Sequence, residues 1–291
     1  EESGANYLFE ASVGGGIPII RPLCQCLAAN YIEGIAGILN GTTNFILTMM
    51  IEDGMSFEEA LKIAQEKGYA EKDPTADVEG HDACRKVCIL ASLAFGKHVY
   101  PNQVETEGIT NISLEDVSYI ENAGGVIKLL GQIKYINDNE IAAFVSPAVV
   151  YNGSQLASVK DVFNAILVRG DAVGDVCFYG PGAGKLPTAS AVVADIIDCA
   201  KHSDRKKIFG WGEGSENYVV DYKEKIEMPF YVRAKATPNE VNSKFADVKF
   251  LSRKGQPSDE VAFITDYMTE NELNKKLDGM NVINTIKVTN Y

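Results

Sequence analysis

The sequence predicts an α+β fold: a mixed or mainly antiparallel sheet with helices on one face, followed by a small ferredoxin-like βαββαβ module. Two observations predict it. Helical patterns follow one another up to about residue 95 and strand patterns follow one another between about 125 and 180, which is the ordering of an α+β layer rather than of alternating βαβ units. After residue 227 the order becomes strand, polar stretch, strand, strand, helix, strand, as in ferredoxin-like modules.

The opening "ANYLFEASVGGGIPIIRPL" reads as a short strand, a glycine loop at Gly14 to Gly16, and a helix with Pro18 in its first turn. Residues 31–40, "YIEGIAGILN", alternate as a strand does, and "NGTTNFILTMMIEDG" opens a helix that Thr42, Thr43 or Asn44 can cap and Gly54 ends. "SFEEALKIAQEKG" places Ser56 as N-cap, Glu59 three residues on in a capping box, and Gly68 at the C-terminus. From His81 or Asp82 to Phe95 the chain is helical again, with almost no polar face after the first two turns, so this helix is buried.

"SLEDVSYIENAGG" reads as a helix, and "VIKLLGQIKYI", "EIAAFVSPAVV", "NAILVRGD" and "DVCFYGPGAG" read as strands. Pro187 and Thr188 open an amphipathic helix that runs to about His202. The charged, glycine-rich "SDRKKIFGWGEGSENYVVDYKEK" reads as a linker, so the chain divides into domains at 1–205 and 226–291 joined by 206–225. In the second domain, strands fall at 230–236, 247–253, 260–267 and 282–289, with a helix over 269–278.

The chain of 291 residues is long enough to bury about 75% of its unfolded surface. It is 46% hydrophobic and 23% charged, with no apolar run that spans a bilayer and no start resembling a signal peptide; the expected address is cytoplasmic. A net charge of -13 and a pI near 4.8 argue against nucleic acid or an anionic membrane as the main partner. Six cysteines in so long a chain read as small core residues of a reducing compartment. Cys84 and Cys88 share a helix face, but no second ligand pair follows, which argues against zinc.

The chemistry concentrates in "GYAEKDPTADVEGHDACRK", where Glu71, Asp73, Asp77, Glu79 and Asp82 precede Lys86. Asp82 and Lys86 lie four apart on one helix face that continues as Ile89 and Leu93. A surface ion pair is the plain alternative, yet an inward-facing pair needs partners or a ligand to offset desolvation. Glu71, Asp77 and Asp82 together suit a ligand with an ammonium group, whereas Asp73 and Glu79 read as solvent-facing. "EASVGGGIP" is either a tight strand-to-helix turn or a seat for a monovalent cation held by the Glu10 carboxylate and backbone oxygens. The glycines at 182 and 184 either let backbone approach a cofactor or form a plain loop. His81, His98 and His202 share no catalytic spacing.

Four blocks, "EASVGGGIPII", "GILNGTTNFIL", "GYAEKDPTADVEGHDACRK" and "GAGKLPTASAVVADI", resemble homoserine dehydrogenase in the order and at the separations of that family. The resemblance covers residues 1 to about 205, and the tail from about 226 is similar to the family's C-terminal ACT module, with a shorter stretch between its first two strands. It implies NAD(P)-dependent interconversion of L-aspartate 4-semialdehyde and L-homoserine, on the route to threonine, methionine and isoleucine. It implies roles as well. Lys86 matches the acid/base lysine and Asp82 the aspartate beside it; Glu71 and Asp77 match substrate-binding carboxylates; Gly184 matches a glycine that touches the cofactor. Glu10, with the carbonyls of Val13, Gly15 and Ile17, matches a sodium or potassium site. The family's Rossmann domain, with its GxGxxG loop, has no counterpart here, so the expectation is a fragment without its cofactor domain, inactive alone. A homodimer or higher homo-oligomer paired through the catalytic-domain sheet and a threonine effector are further implications.

Two other readings compete. A semialdehyde dehydrogenase forming an acyl-phosphate needs a nucleophilic cysteine with a base nearby, and Cys24 and Cys26 have no such context. A threonine-sensing, ACT-type amino-acid-binding regulatory protein would use the tail instead.

Overall fold

The computed structural model describes residues 5–202 and 210–291. Residues 5–9 form no strand; they lead into a 3-10 turn, Glu10–Ser12, and Phe9 packs 6.0 Å from Trp211. The helix expected after Pro18 shrinks to a π-helical turn, Pro22–Cys26. Pro18 and Pro22 both lack the amide a regular helix would use there, and the amides between them go to the Glu10 side chain.

The elements then follow as β1 (Ile32–Ile38), α1 (Gly41–Glu52), α2 (Phe57–Glu66), α3 (Thr75–Val78), α4 (His81–Phe95), β2 (Glu105–Thr106), α5 (Leu114–Asn122), β3 (Gly125–Asn137), β4 (Glu140–Tyr151), β5 (Phe163–Gly170), β6 (Gly174–Pro181) and α6 (Lys185–Lys201). The C-terminal part adds α7 (Tyr222–Lys225), β7 (Phe230–Lys235), α8 (Pro238–Lys244), β8 (Val248–Leu251), β9 (Glu260–Thr265), α9 (Glu270–Leu277) and β10 (Asn281–Val288). Asn40, not Thr42, Thr43 or Asn44, caps α1. Ser56 and Glu59 form the expected capping box on α2. The polar stretch after β7 is a short helix, α8, capped by Thr237 with Pro238 at its first position.

Among the described residues, a mixed sheet of ten strands runs in the order β6-β5-β1-β3-β4-β10-β7-β9-β8, with β2 also on β4. Its last four strands, β10-β7-β9-β8, are antiparallel and have the ferredoxin-like order. They join the rest through a short parallel pairing, Lys287 with Ala148 and Val288 with Val149. Alternation along β4 separates two cores. Ile141, Ala143 and Val145 face the cluster that includes Phe45 of α1, Val87 of α4 and Ile120 of α5. Ala142 and Phe144 face the opposite side, with Tyr222, Val241 of α8 and Leu273 of α9. Helices therefore cover one face of the N-terminal strands and the other face of the C-terminal ones.

The junction is polar as well as apolar. Asp116 on α5, fully buried, accepts from Tyr231 Oη and Asn284 Nδ2, each at 2.9 Å, and faces Arg233 Nε at 2.9 Å. Glu260 accepts from Tyr119 Oη and Arg253 Nη2, each at 2.9 Å. Such buried charges are tolerated because each has several partners. Residues 206–209 of the expected linker lie outside the described residues. The described remainder packs closely: Gly212 exchanges backbone hydrogen bonds with Gly96 and His98, Ile141 does so with Tyr218 and Val220, and Tyr218 is buried. Among the described residues, no helix is long and apolar enough to cross a membrane.

Candidate active site

Four short-range devices build the site. Asn40, two residues after β1, is extended and caps α1 by accepting from Thr43 N at 2.9 Å, which leaves its Nδ2 free to donate elsewhere. Asp73 accepts from Thr75 N at 3.2 Å and so starts α3, which carries Asp77. Gly80 turns the chain into α4 at φ 81°, where a methyl group would also strike Thr106 Cγ2 at 2.9 Å. Asp82 then lies in the first turn of α4, where the helix dipole favours an anion, and Lys86 stands one turn later on the same face.

Asn40 joins these pieces. Its Nδ2 donates to Asp77 Oδ1 at 2.7 Å and to Asp82 Oδ2 at 2.9 Å. Lys86 Nζ donates to Asp82 Oδ2 at 2.7 Å and to the carbonyl of Leu39 at 2.8 Å. Burial raises the pKa of Asp77 above the ordinary aspartate value; the Asn40 hydrogen bond opposes this, and the nearby charge of Asp82 adds to it. These groups line a cleft of about 600 Å³ with Glu71 and Asp73 at its rim, Arg85 beside Lys86, and Gly182, Ala183 and Gly184 on the facing wall. The volume suits a small ligand together with part of a larger one. Glu71 is exposed, on a loop whose backbone carbonyl accepts from Gln65 Nε2 at 3.1 Å. Asp73, expected to face only solvent, is exposed but borders the cleft, while Glu79 lies outside it and accepts from Thr110 Oγ1 at 3.3 Å.

Gly184 caps α6 at φ 116° and ψ 151°, a backbone region open essentially to glycine, and this leaves the facing wall without a side chain at that point. Glu10 lies apart from the cleft. Its carboxylate accepts from the amides of Ile19 (2.7 Å), Ile20 (2.8 Å) and Arg21 (2.9 Å) and from Arg21 Nε (3.1 Å). Both oxygens are engaged by the turn at Ile19 to Arg21 that follows the glycine loop. Among the described residues, no group of three His, Cys, Asp or Glu side chains is close enough to hold a metal. The Cys24 thiol is pushed up to about 11 by burial and by the Glu10 charge, which makes it a poor nucleophile at neutral pH. Asn40 and Arg85 were not singled out by the sequence; the signal for Asn40 was its place as a cap letter immediately before Gly-Thr-Thr.

The family model for homoserine dehydrogenase matches residues 18–197. The chain belongs to the homoserine dehydrogenase family. It is 50% identical over 200 residues to the homoserine dehydrogenase of Synechocystis sp., an alignment covering 68% of this chain and 46% of that protein. The crystal structure of a homoserine dehydrogenase from Thiobacillus denitrificans is similar over 99% of this chain and 71% of its own, with a TM-score of 0.87 and 35% identity. A hyperthermophilic archaeal homoserine dehydrogenase in complex with NADPH is similar at a TM-score of 0.57 and 30% identity, over 69% of this chain and 57% of that one. The chain spans about half the length of the curated relatives it matches.

Proposed function

We propose that this chain is the substrate-binding and catalytic part of an NAD(P)-dependent homoserine dehydrogenase, interconverting L-aspartate 4-semialdehyde and L-homoserine in threonine and methionine biosynthesis. The observation that carries the reading is the Asn40-centred cluster of Asp77, Asp82 and Lys86 facing the bare backbone of Gly184 across one cleft. The cofactor's nicotinamide, when bound, supplies or accepts the hydride. Lys86 acts at the substrate oxygen. In the reducing direction its Nζ gives a proton to the oxygen as the carbonyl becomes a hydroxyl, and in the oxidising direction it takes that proton back. Asp82 holds the ammonium in place and offsets its charge, and the Leu39 carbonyl fixes the direction of the side chain. Glu71 and Asp77 receive the substrate's α-ammonium, whose charge favours the ionised form of Asp77.

The seat of the cofactor fits Gly184 and the first turn of α6. Leu186, Val193, Ile196 and Ile197 of α6 are exposed, which supports a further domain that covers this helix and holds most of the cofactor. A sodium or potassium ion would be held by the carbonyls of Val13, Gly15 and Ile17, with Glu10 shaping the loop through its side chain; neutral donors suit a monovalent ion. We divide the chain into a catalytic unit, 1–205, a connecting segment, 206–225, and an ACT-like unit, 226–291, and expect a homodimer. The strand order of the last unit supports a regulatory role for it with threonine as effector. Threonine is expected to raise the melting temperature of the chain, and an unchanged melting curve counts against that role.

The reaction is tested by homoserine oxidation with NADP and NAD, using this chain alone and the chain joined to its upstream coding region. Turnover in the longer form alone is expected. No turnover in either form refutes the assignment.

A further inference from the structure

Asn164, on β5, is 1% exposed, and its Oδ1 has no hydrogen-bond partner among the described residues. A buried acceptor left unmade is costly where an apolar side chain would not be, so the carboxamide has to be accounted for. Its neighbours account for it. A methyl group on Gly182 would lie 2.1 Å from Asn164 Nδ2, 2.2 Å from Cγ and 2.6 Å from Oδ1, so the Gly182 backbone rests on the carboxamide. A methyl group on Gly41, in the first turn of α1, would lie 3.5 Å from Asn164 Oδ1. From the other side, a methyl group on Gly15 would strike the Gly182 carbonyl oxygen at 2.3 Å, and Gly16 N donates to the Pro181 carbonyl at 3.2 Å.

The loop from Gly182 to Gly184 is therefore clamped between the glycine loop at Gly14 to Gly16 and the carboxamide of Asn164. The same carboxamide lies beside Gly41 at the start of α1, with the Val162 carbonyl closer still, and the cap of α1, Asn40, donates to Asp77 and Asp82. We propose that Asn164 is a positioning residue that fixes the cofactor-facing wall of the cleft relative to its substrate-facing wall. The proposal rests on the homoserine dehydrogenase reading of that cleft. Hydride transfer needs the reacting groups within a narrow range of distance, so a wall free to slide on α1 would lose cofactor affinity and alignment. It also gives position 182 a reason to be glycine: an added Cβ would collide with the Asn164 carboxamide.

The test uses the full-length protein and three variants, Asn164→Ala, Gly182→Ala and the double variant. The NADPH dissociation constant is read from nicotinamide fluorescence, beside the KM for homoserine and the melting temperature. Asn164→Ala is expected to weaken NADPH binding by roughly tenfold or more, with the homoserine KM within roughly threefold of wild type and cooperative melting retained. Gly182→Ala is expected to weaken NADPH binding by driving a Cβ into the carboxamide, and the double variant to be no worse than Asn164→Ala, because the collision is gone. If Asn164→Ala fails to fold, Asn164→Ser, which keeps a polar group but cannot reach Gly182, is expected to weaken NADPH binding in the same sense. An NADPH constant within about twofold of wild type, strictly additive losses, or equal losses of NADPH and homoserine binding in step with the melting temperature overturn the proposal. A wild-type protein that binds NADPH but leaves homoserine unoxidised overturns the reaction and not the clamp, since the cofactor constant is read without turnover.

Discussion

Two lysines in this molecule are tied to α1 one turn apart, and only one faces a cleft. Lys86 donates to Asp82, which Asn40 at the cap of α1 also holds, and it keeps part of its side chain exposed beside Gly184's wall. Lys128, on β3, is 2% exposed and donates to Asn44 Oδ1 at 3.0 Å and to the Val159 carbonyl, both neutral oxygens. Asn44 in turn donates to the carbonyls of Val159, Asp161 and Phe163. The first lysine is held by a carboxylate and open to a ligand; the second staples the loop before β5 to the sheet. A buried ammonium is thus no mark of catalysis by itself. What sets Lys86 apart is a counter-charge on one side and open space on the other, and the proposed role in catalysis rests on that difference.

The comparison breaks first at Lys86. Lys86→Met in the full-length protein is expected to lower turnover by about 10³-fold or more, at the upper range for a lost general acid or base, while the melting temperature changes little. Steady-state turnover within a factor of a few of wild type would remove Lys86 from the chemistry and leave the two lysines alike. A smaller effect is expected at Asp77→Asn, which keeps the shape and removes the charge proposed to meet the substrate ammonium. The homoserine KM should rise by roughly ten- to a hundredfold with turnover less affected. Because burial raises the Asp77 pKa, the wild-type KM should climb as pH falls, with a midpoint higher than that of an ordinary aspartate, and the climb should vanish in Asp77→Asn. An unchanged KM in the variant would assign ammonium recognition to Glu71 alone.

What the sequence made legible here is local. Ser56 with Glu59, Gly68 and the fourfold spacing of Asp82 and Lys86 are signals written within one or two helical turns, and they set most of the geometry of the acidic loop. The bridging role of Asn40 was not legible, because its donors reach residues 37 and 42 positions away. Nor was the engagement of Glu10: a carboxylate among glycines reads as a free ligand until the chain folds back and three amides fall on it. The continuity of the sheet was hidden for the same reason. Its two halves join through a parallel pairing of Lys287 and Val288 with Ala148 and Val149, and no turn signal connects strands so distant in the chain. Residues 210–225, charged and rich in glycine, read as a tether, yet backbone hydrogen bonds to Gly96 and Ile141 bind them to the domain. Composition reports side-chain polarity and says nothing of where backbone amides find partners.

The smallest expected effect sharpens the comparison from the other side. Burial lowers the Lys128 pKa from 10.5 to about 8, with the neighbouring Lys160 charge acting in the same direction and Glu52 and Asp161 opposing. Between those two values the unfolded chain holds a proton that the folded chain has released, so raising the pH favours the folded state. Below pH 8 both states are protonated and the full cost of burying the charge is present. The stability of the wild type relative to Lys128→Met should therefore rise between about pH 8 and 10.5, by about 3 kcal/mol at most. At neutral pH the variant loses a buried charge but leaves Asn44 Oδ1 without a donor and the Val159 carbonyl with Asn44 Nδ2 alone, so the two changes offset each other and stability should differ little. Urea midpoints across this range, taken as differences so that tyrosines and thiols cancel, measure the effect. Parallel profiles would mean that the Lys128 ammonium keeps its hydration in the folded protein, and the contrast between an open and a sealed lysine would fail.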